Sequence, residues 1–226
     1  MQFSSRSITG AAVVAVFIAV LCRLAPGQDT PAREVRGVPP RATPAEYQAH
    51  AQAGSVTIAA EFTRHSIATL EGTLSTEDYV VVEVGLFGPP EARLKLSHDD
   101  FSLRINDKKV PLPSLPYGVV YRSLKDPEWA PPEPPASKSS KTSIGSGGGG
   151  GGQNDPGSTP PVVHVPIEIE RGWQQRVQKS ALPEGDRQLP EAGLIFFSYR
   201  NKPSSIHSIE LTYAGAAGKA TLTLQP

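Results

Sequence analysis

The chain has 226 residues, with 22 Lys+Arg against 22 Asp+Glu, 23 Pro, 21 Gly and a single Cys. A formal charge of zero argues against nucleic-acid binding through global charge, and one Cys allows neither an internal disulfide nor a Cys-based zinc site. The Pro content is roughly twice that of an ordinary chain, so part of the molecule is expected to stay unpacked, while 38% apolar residues are enough for one modest core.

Residues 1–27 read as an export signal. Arg6 is the only charge before an uninterrupted run of apolar and small residues over 8–22, closed by Arg23. A spanning helix wants about 20 apolar residues, and a run this short has the length of a signal h-region. Ala25 and Gly27 stand at the −3 and −1 positions of a cleavage before Gln28. Leu21 before Cys22, with Ala19 three before it, breaks the pattern for lipidation. The expectation is export to the periplasm or the exterior, with membrane attachment through 8–22 only if the signal is not removed. Removal leaves 20 basic against 22 acidic residues and no cysteine.

Two low-complexity stretches flank or interrupt the rest. Residues 28–54 hold Pro31, Pro39, Pro40 and Pro44 without apolar periodicity and are expected to form a flexible tether. Residues 127–161 run from Pro131, Pro132, Pro134 and Pro135 into six consecutive glycines, Gly147 to Gly152. Such a stretch cannot bury enough apolar surface to offset its ordering entropy, so a disordered insertion is expected. The glycine run lacks the Lys and the strand–helix setting of a phosphate loop. The pieces on either side, 55–126 and 162–226, are expected to make one domain, because the second alone is too small for its own core.

Strand patterns fill both pieces. The apolar-rich stretches are 55–62, a weaker 65–74, 79–87, 92–96, 101–105, 108–112, 193–199, 205–213 and 219–224. In 101–105, Phe101, Leu103 and Ile105 alternate with Ser102 and Arg104, and Asn106-Asp107 marks a turn. One segment differs. Over 167–180, Ile169, Trp173 and Val177 recur every fourth residue among Glu, Gln, Arg and Lys, predicting one short amphipathic helix with Pro166 at its start. Gly172 is an unfavourable residue inside it. The fold class is therefore all-β, an antiparallel sandwich of about seven to nine strands.

The run Tyr79-Val80-Val81-Val82-Glu83-Val84-Gly85-Leu86-Phe87-Gly88-Pro89-Pro90, followed by Asp99-Asp100-Phe101-Ser102-Leu103-Arg104-Ile105-Asn106-Asp107-Lys108-Lys109, resembles the first half of immunoglobulin-like modules of secreted bacterial proteins. The run Gly193-Leu194-Ile195-Phe196-Phe197-Ser198-Tyr199, with Ile206-His207-Ser208-Ile209-Glu210-Leu211-Thr212-Tyr213, is similar to their closing strands. The resemblance spans about 56–109 and 189–224. Asp107 stands where that family commonly has Gly, and the insertion with its helix is not typical of it. What the resemblance implies is the sandwich fold; it carries no catalytic residue.

Chemistry-bearing motifs are absent. His50, His65, His98, His164 and His207 form no His-x-x-x-His or His-Glu-x-x-His pair. His98-Asp99-Asp100 reads as a polar turn, and Ser146 lies in the insertion rather than at a nucleophile elbow. Lys108-Lys109 and Lys138/Lys141 are too few for a nucleic-acid surface. No catalytic, metal or cofactor residue is assigned. Trp129 and Trp173, one on each side of the insertion, either pin its ends to the sandwich or form an aromatic interaction surface. The expected function is a non-enzymatic interaction or structural module of the cell envelope, partnered by an envelope protein or surface component. The alternative is a ligand- or carbohydrate-binding protein, or an enzyme, with its site in the end loops.

Overall fold

A computed structural model describes residues 37–131 and 164–226. The expected signal over 1–27, the first part of the expected tether and most of the expected insertion lie outside the described residues. Before the gap come β1 (Ala49–Ala53), β2 (Val56–Arg64), β3 (Ser66–Thr69), β4 (Gly72–Thr76), β5 (Tyr79–Phe87), β6 (Arg93–Leu96), β7 (Phe101–Ile105), β8 (Leu112–Pro113) and β9 (Leu124–Lys125). After it come the helix α1 (Ile167–Ser180), then β10 (Gly185–Gln188), β11 (Glu191–Ser198), β12 (Ile209–Gly215) and β13 (Gly218–Leu224).

Two four-stranded sheets, ordered β1-β2-β5-β11 and β13-β12-β7-β8, carry the fold, with all pairings antiparallel. The molecule is an all-β sandwich. Three pairings, β5 with β11, β7 with β12 and β6 with β10, join strands from before the gap to strands from after it. Ile58, Phe62, Val82, Val84, Ile195 and Phe197 of the first sheet meet Leu103, Ile105, Leu211, Tyr213 and Leu222 of the second in one core. Each fully buried aliphatic or aromatic side chain here contributes about 1.5–3 kcal/mol.

A second core lies on the outer face of the first sheet, and it explains why Val80, Val81 and Val82 read as an unbroken apolar run. All three are fully buried. Val80 and Val82 point into the sandwich, whereas Val81 points the other way, with Leu194 and Phe196 of β11. Over them pack Ile67 and Leu74 of the β3–β4 hairpin, Val120 of the 3-10 segment Tyr117–Ser123, and Trp173, Val177 and Ala181 of α1 and its end. Strands covered on both faces lose alternation.

The remaining outer face is covered by a segment that the sequence analysis assigned to the tether. Tyr47 is buried, and its ring lies above Gly85, where a Cβ would stand 2.7 Å from the Tyr47 hydroxyl. Arg41 sits 4.4 Å above the Tyr47 ring and pairs with Glu61 at 2.5 Å and Glu83 at 3.3 Å. β1 then pairs along β2. The unpacked tether therefore does not extend through residues 37–54. The alternation Ala-His-Ala-Gln-Ala has too little apolar contrast to register as a strand, yet it suits an edge.

Other boundaries shift for local reasons. Residues 108–111 form a turn rather than a strand, because Asn106 and Asp107 both take positive φ, 54° and 53°. That conformation favours Gly and is tolerated by Asn and Asp. Pairing resumes only at Leu112–Pro113, on the sheet edge where Pro is accepted. β12 begins at Ile209, since Asn106 holds the preceding loop: its Oδ1 accepts from His207 N at 2.7 Å and its Nδ2 donates to Ser205 O at 2.7 Å. The free edge of β11 is closed by Leu182 N donating to Leu194 O at 3.0 Å and Leu115 N donating to Phe196 O at 2.8 Å.

Candidate functional site: the Trp129–Trp173 cleft

α1 occupies the predicted residues, but its apolar stripe is only partly buried. Trp173 and Val177 pack into the second core, while Ile169 is 37% exposed and Ile167, two residues before the stripe's start, is 50% exposed. Glu168, Ile169, Gly172 and Trp173 of the helix form one wall of an open cleft. The other wall comes from the end of the N-terminal half. There Asp126 builds a turn, its Oδ1 accepting from Glu128 N at 3.0 Å and its carbonyl accepting from Trp129 N at 3.2 Å.

That turn delivers Trp129 edge-on to Trp173, with ring centroids 6.2 Å apart and planes at 82°, a favoured aromatic geometry. Trp173 is 7% exposed, and Trp129 is half-buried at the rim. The two tryptophans singled out in the sequence are thus in contact, and both pack at the ends of the undescribed interval.

Arg176, one turn beyond Trp173, fastens the base. Its guanidinium lies 3.2 Å from the Asp126 carboxylate, and its Nε donates to Thr69 Oγ1 at 3.2 Å. Both charged side chains of the pair are mostly buried, at 13% and 15% exposed, so the pair is tied into the fold and not available as a binding group. The cleft has a volume of about 420 Å³ and is also lined by Glu128, Glu168 and Gly172. Glu128 and Glu168 are exposed, and neither has an ion-pair partner among the described residues. A Cβ on Gly172 would meet nothing within 4 Å. The glycine therefore costs the helix about 1 kcal/mol relative to Ala with no packing reason for it.

Arg176, Asp126, Glu128 and Glu168 were not singled out in the sequence. The available signal was Gly172 beside Trp173, a helix breaker at a position where the amphipathic pattern asks for none.

His98-Asp99-Asp100 forms a 3-10 turn, capped by Ser97 Oγ accepting from Asp99 N at 3.2 Å. Burial, and then the neighbouring Asp99, raise the Asp100 carboxyl above its usual range. His98 Nδ1 lies 3.1 Å from Ser114 Oγ and 3.3 Å from the Asp99 carboxylate, and Nε2 lies 3.6 Å from Glu184. A serine, an imidazole and a carboxylate thus come together, but the buried Ser114 hydroxyl donates to the carbonyl of His98 itself. The adjoining cavity is about 50 Å³, room for a few waters and not for a substrate of ordinary size. The grouping ties β8 to the turn before β7. The other histidines are dispersed: His50 on β1, His65 between β2 and β3, His164 before α1, and His207 exposed in the loop before β12. Among the described residues no group of three or more His, Cys, Asp or Glu could hold a metal ion, and no helix is long and apolar enough to cross a membrane.

Compared with known proteins, the chain matches no family model, no curated protein and no solved structure. The reading of the cleft rests on its own geometry.

Proposed function

We propose that the chain is an exported, non-enzymatic recognition protein of the cell envelope, an immunoglobulin-like sandwich whose binding surface is the Trp129–Trp173 cleft. The observation that carries the reading is the cleft itself: a half-buried aromatic rim beside a helix glycine, with two exposed carboxylates that have no ion-pair partner among the described residues. Aromatic side chains in such settings anchor interfaces. Export follows from the signal pattern over residues 1–27. The same cleft also suits a sugar ring stacked on Trp129, so a carbohydrate ligand is the second reading.

The test is a photo-crosslinking residue, p-benzoylphenylalanine, placed at Glu128 of the full chain in producing cells. A control places it at Lys219, exposed on the opposite sheet. An adduct with an envelope component is expected from 128 and not from 219. Equal capture from both positions, or none from 128, would overturn the proposal.

A further inference from the structure

Resting on the cleft as a binding surface, its chemistry narrows the ligand. We infer that it takes a lysine or arginine side chain presented by an extended segment of a partner polypeptide. Asp126 and Arg176 neutralise one another, so the charge offered to a ligand is that of Glu128 and Glu168. An anionic group would be repelled and a cation attracted.

The protein itself shows the arrangement completed elsewhere. On the outer face of the first sheet, the Arg41 guanidinium lies 4.4 Å above the Tyr47 ring and is held by two carboxylates, those of Glu61 and Glu83. The cleft is likewise lined by an aromatic ring and two carboxylates, and its own cation, Arg176, is taken by Asp126, so neither Glu128 nor Glu168 has an ion-pair partner among the described residues. A cation over Trp gains more than one over Tyr. Gly172 leaves space for the methylenes of such a side chain, and the partly exposed Ile169 offers apolar contact to its stem.

The two tryptophans of the chain are both in the cleft, so intrinsic tryptophan emission reports on it alone. The full exported chain is titrated with a decapeptide of alternating Lys and Pro, with its Glu/Pro counterpart, and with cellotetraose. The lysine peptide is expected to shift the emission saturably, more weakly as salt rises, and the glutamate peptide not at all. Glu128→Gln with Glu168→Gln is expected to weaken binding about five-fold. Gly172→Ala is expected to raise Tm by about 2–4 °C while weakening the peptide, a combination that damage to the fold cannot produce. A response to cellotetraose without one to the lysine peptide would overturn the ligand class and leave the cleft as a binding surface. An emission change on Lys138→Gln with Lys141→Gln, no peptide present, would make the chain's own insertion the occupant. No response to any probe, together with no crosslink from 128, would overturn the binding surface itself.

Discussion

Phe196 and Phe197 are neighbours on β11 and point to opposite faces of the first sheet, one into each core. A sandwich with a solvated outer face would bury one and expose the other. Here Phe196 is 1% exposed and Phe197 0%, so Phe→Ala is expected to cost about 3–5 kcal/mol at either position. For a domain of this size each kcal/mol lowers Tm by about 2–4 °C, so both variants should melt roughly 6–20 °C below the parent. Ser198, next on the strand and exposed, serves as the control, with Ser198→Ala within about 0.5 kcal/mol of the parent. Urea unfolding followed by far-UV circular dichroism gives the free energies, and an unchanged slope with denaturant confirms that the native and unfolded states are comparable. A Phe196→Ala variant as stable as Ser198→Ala would refute the second core and, with it, the support beneath the cleft.

Other outcomes follow from single contacts. Asp126→Ala leaves Arg176 mostly buried without its carboxylate and should cost about 2–3 kcal/mol; in a double-mutant cycle with Arg176→Met, the paired change should cost clearly less than the two singles together, and strict additivity would deny the coupling. Gly85→Ala places a Cβ 2.7 Å from the Tyr47 hydroxyl and should cost about 1–3 kcal/mol, read by urea unfolding, with the segment before β1 losing amide-exchange protection; unchanged protection would be the contrary result. The Asp100 carboxyl titrates above its usual value because it is partly desolvated and next to Asp99, so the folded state holds its proton more tightly than the unfolded state and stability from this group falls as pH rises through that raised pKa. Asp100→Asn should therefore stabilise at pH 7 and lose the advantage below the ordinary Asp range, whereas a gain independent of pH would contradict the assignment. A protease site engineered after Gly150 should yield two fragments that co-elute, since three strand pairings cross the cut; fragments that separate while folded would mean two domains.

Elements with strong local signals were legible in the sequence. The residues of β5, β7 and α1 follow from β-branched content, strict alternation and a four-residue stripe, each a property of the segment itself. Where the structure departs, the deciding contacts are remote. β1 is a strand because Tyr47 and β2 hold it, and not because Ala-His-Ala-Gln-Ala favours extension. Residues 108–111 leave the strand because Asn106 and Asp107 turn the chain at positive φ, a turn that Asn106 fixes by bonding to the loop at 205–208. The outward burial of Val81 and Phe196 depends on where the hairpin and helix land, which periodicity cannot show. The cleft was half legible: its two tryptophans stood out by type, but their contact, the Asp126–Arg176 fastening and the convergence of Glu128 with Glu168 exist only once both sides of the interval are brought together.

The most direct test of the recognition account uses the two indole N–H signals of the chain, followed in 15N NMR spectra. The envelope component crosslinked from position 128 is added to labelled protein. The account predicts that both indole signals move together, with the amides of α1 from Ile167 to Arg176, and that the β12–β13 hairpin stays fixed. Binding that shifts the hairpin or other end loops while both indole signals remain in place would contradict it.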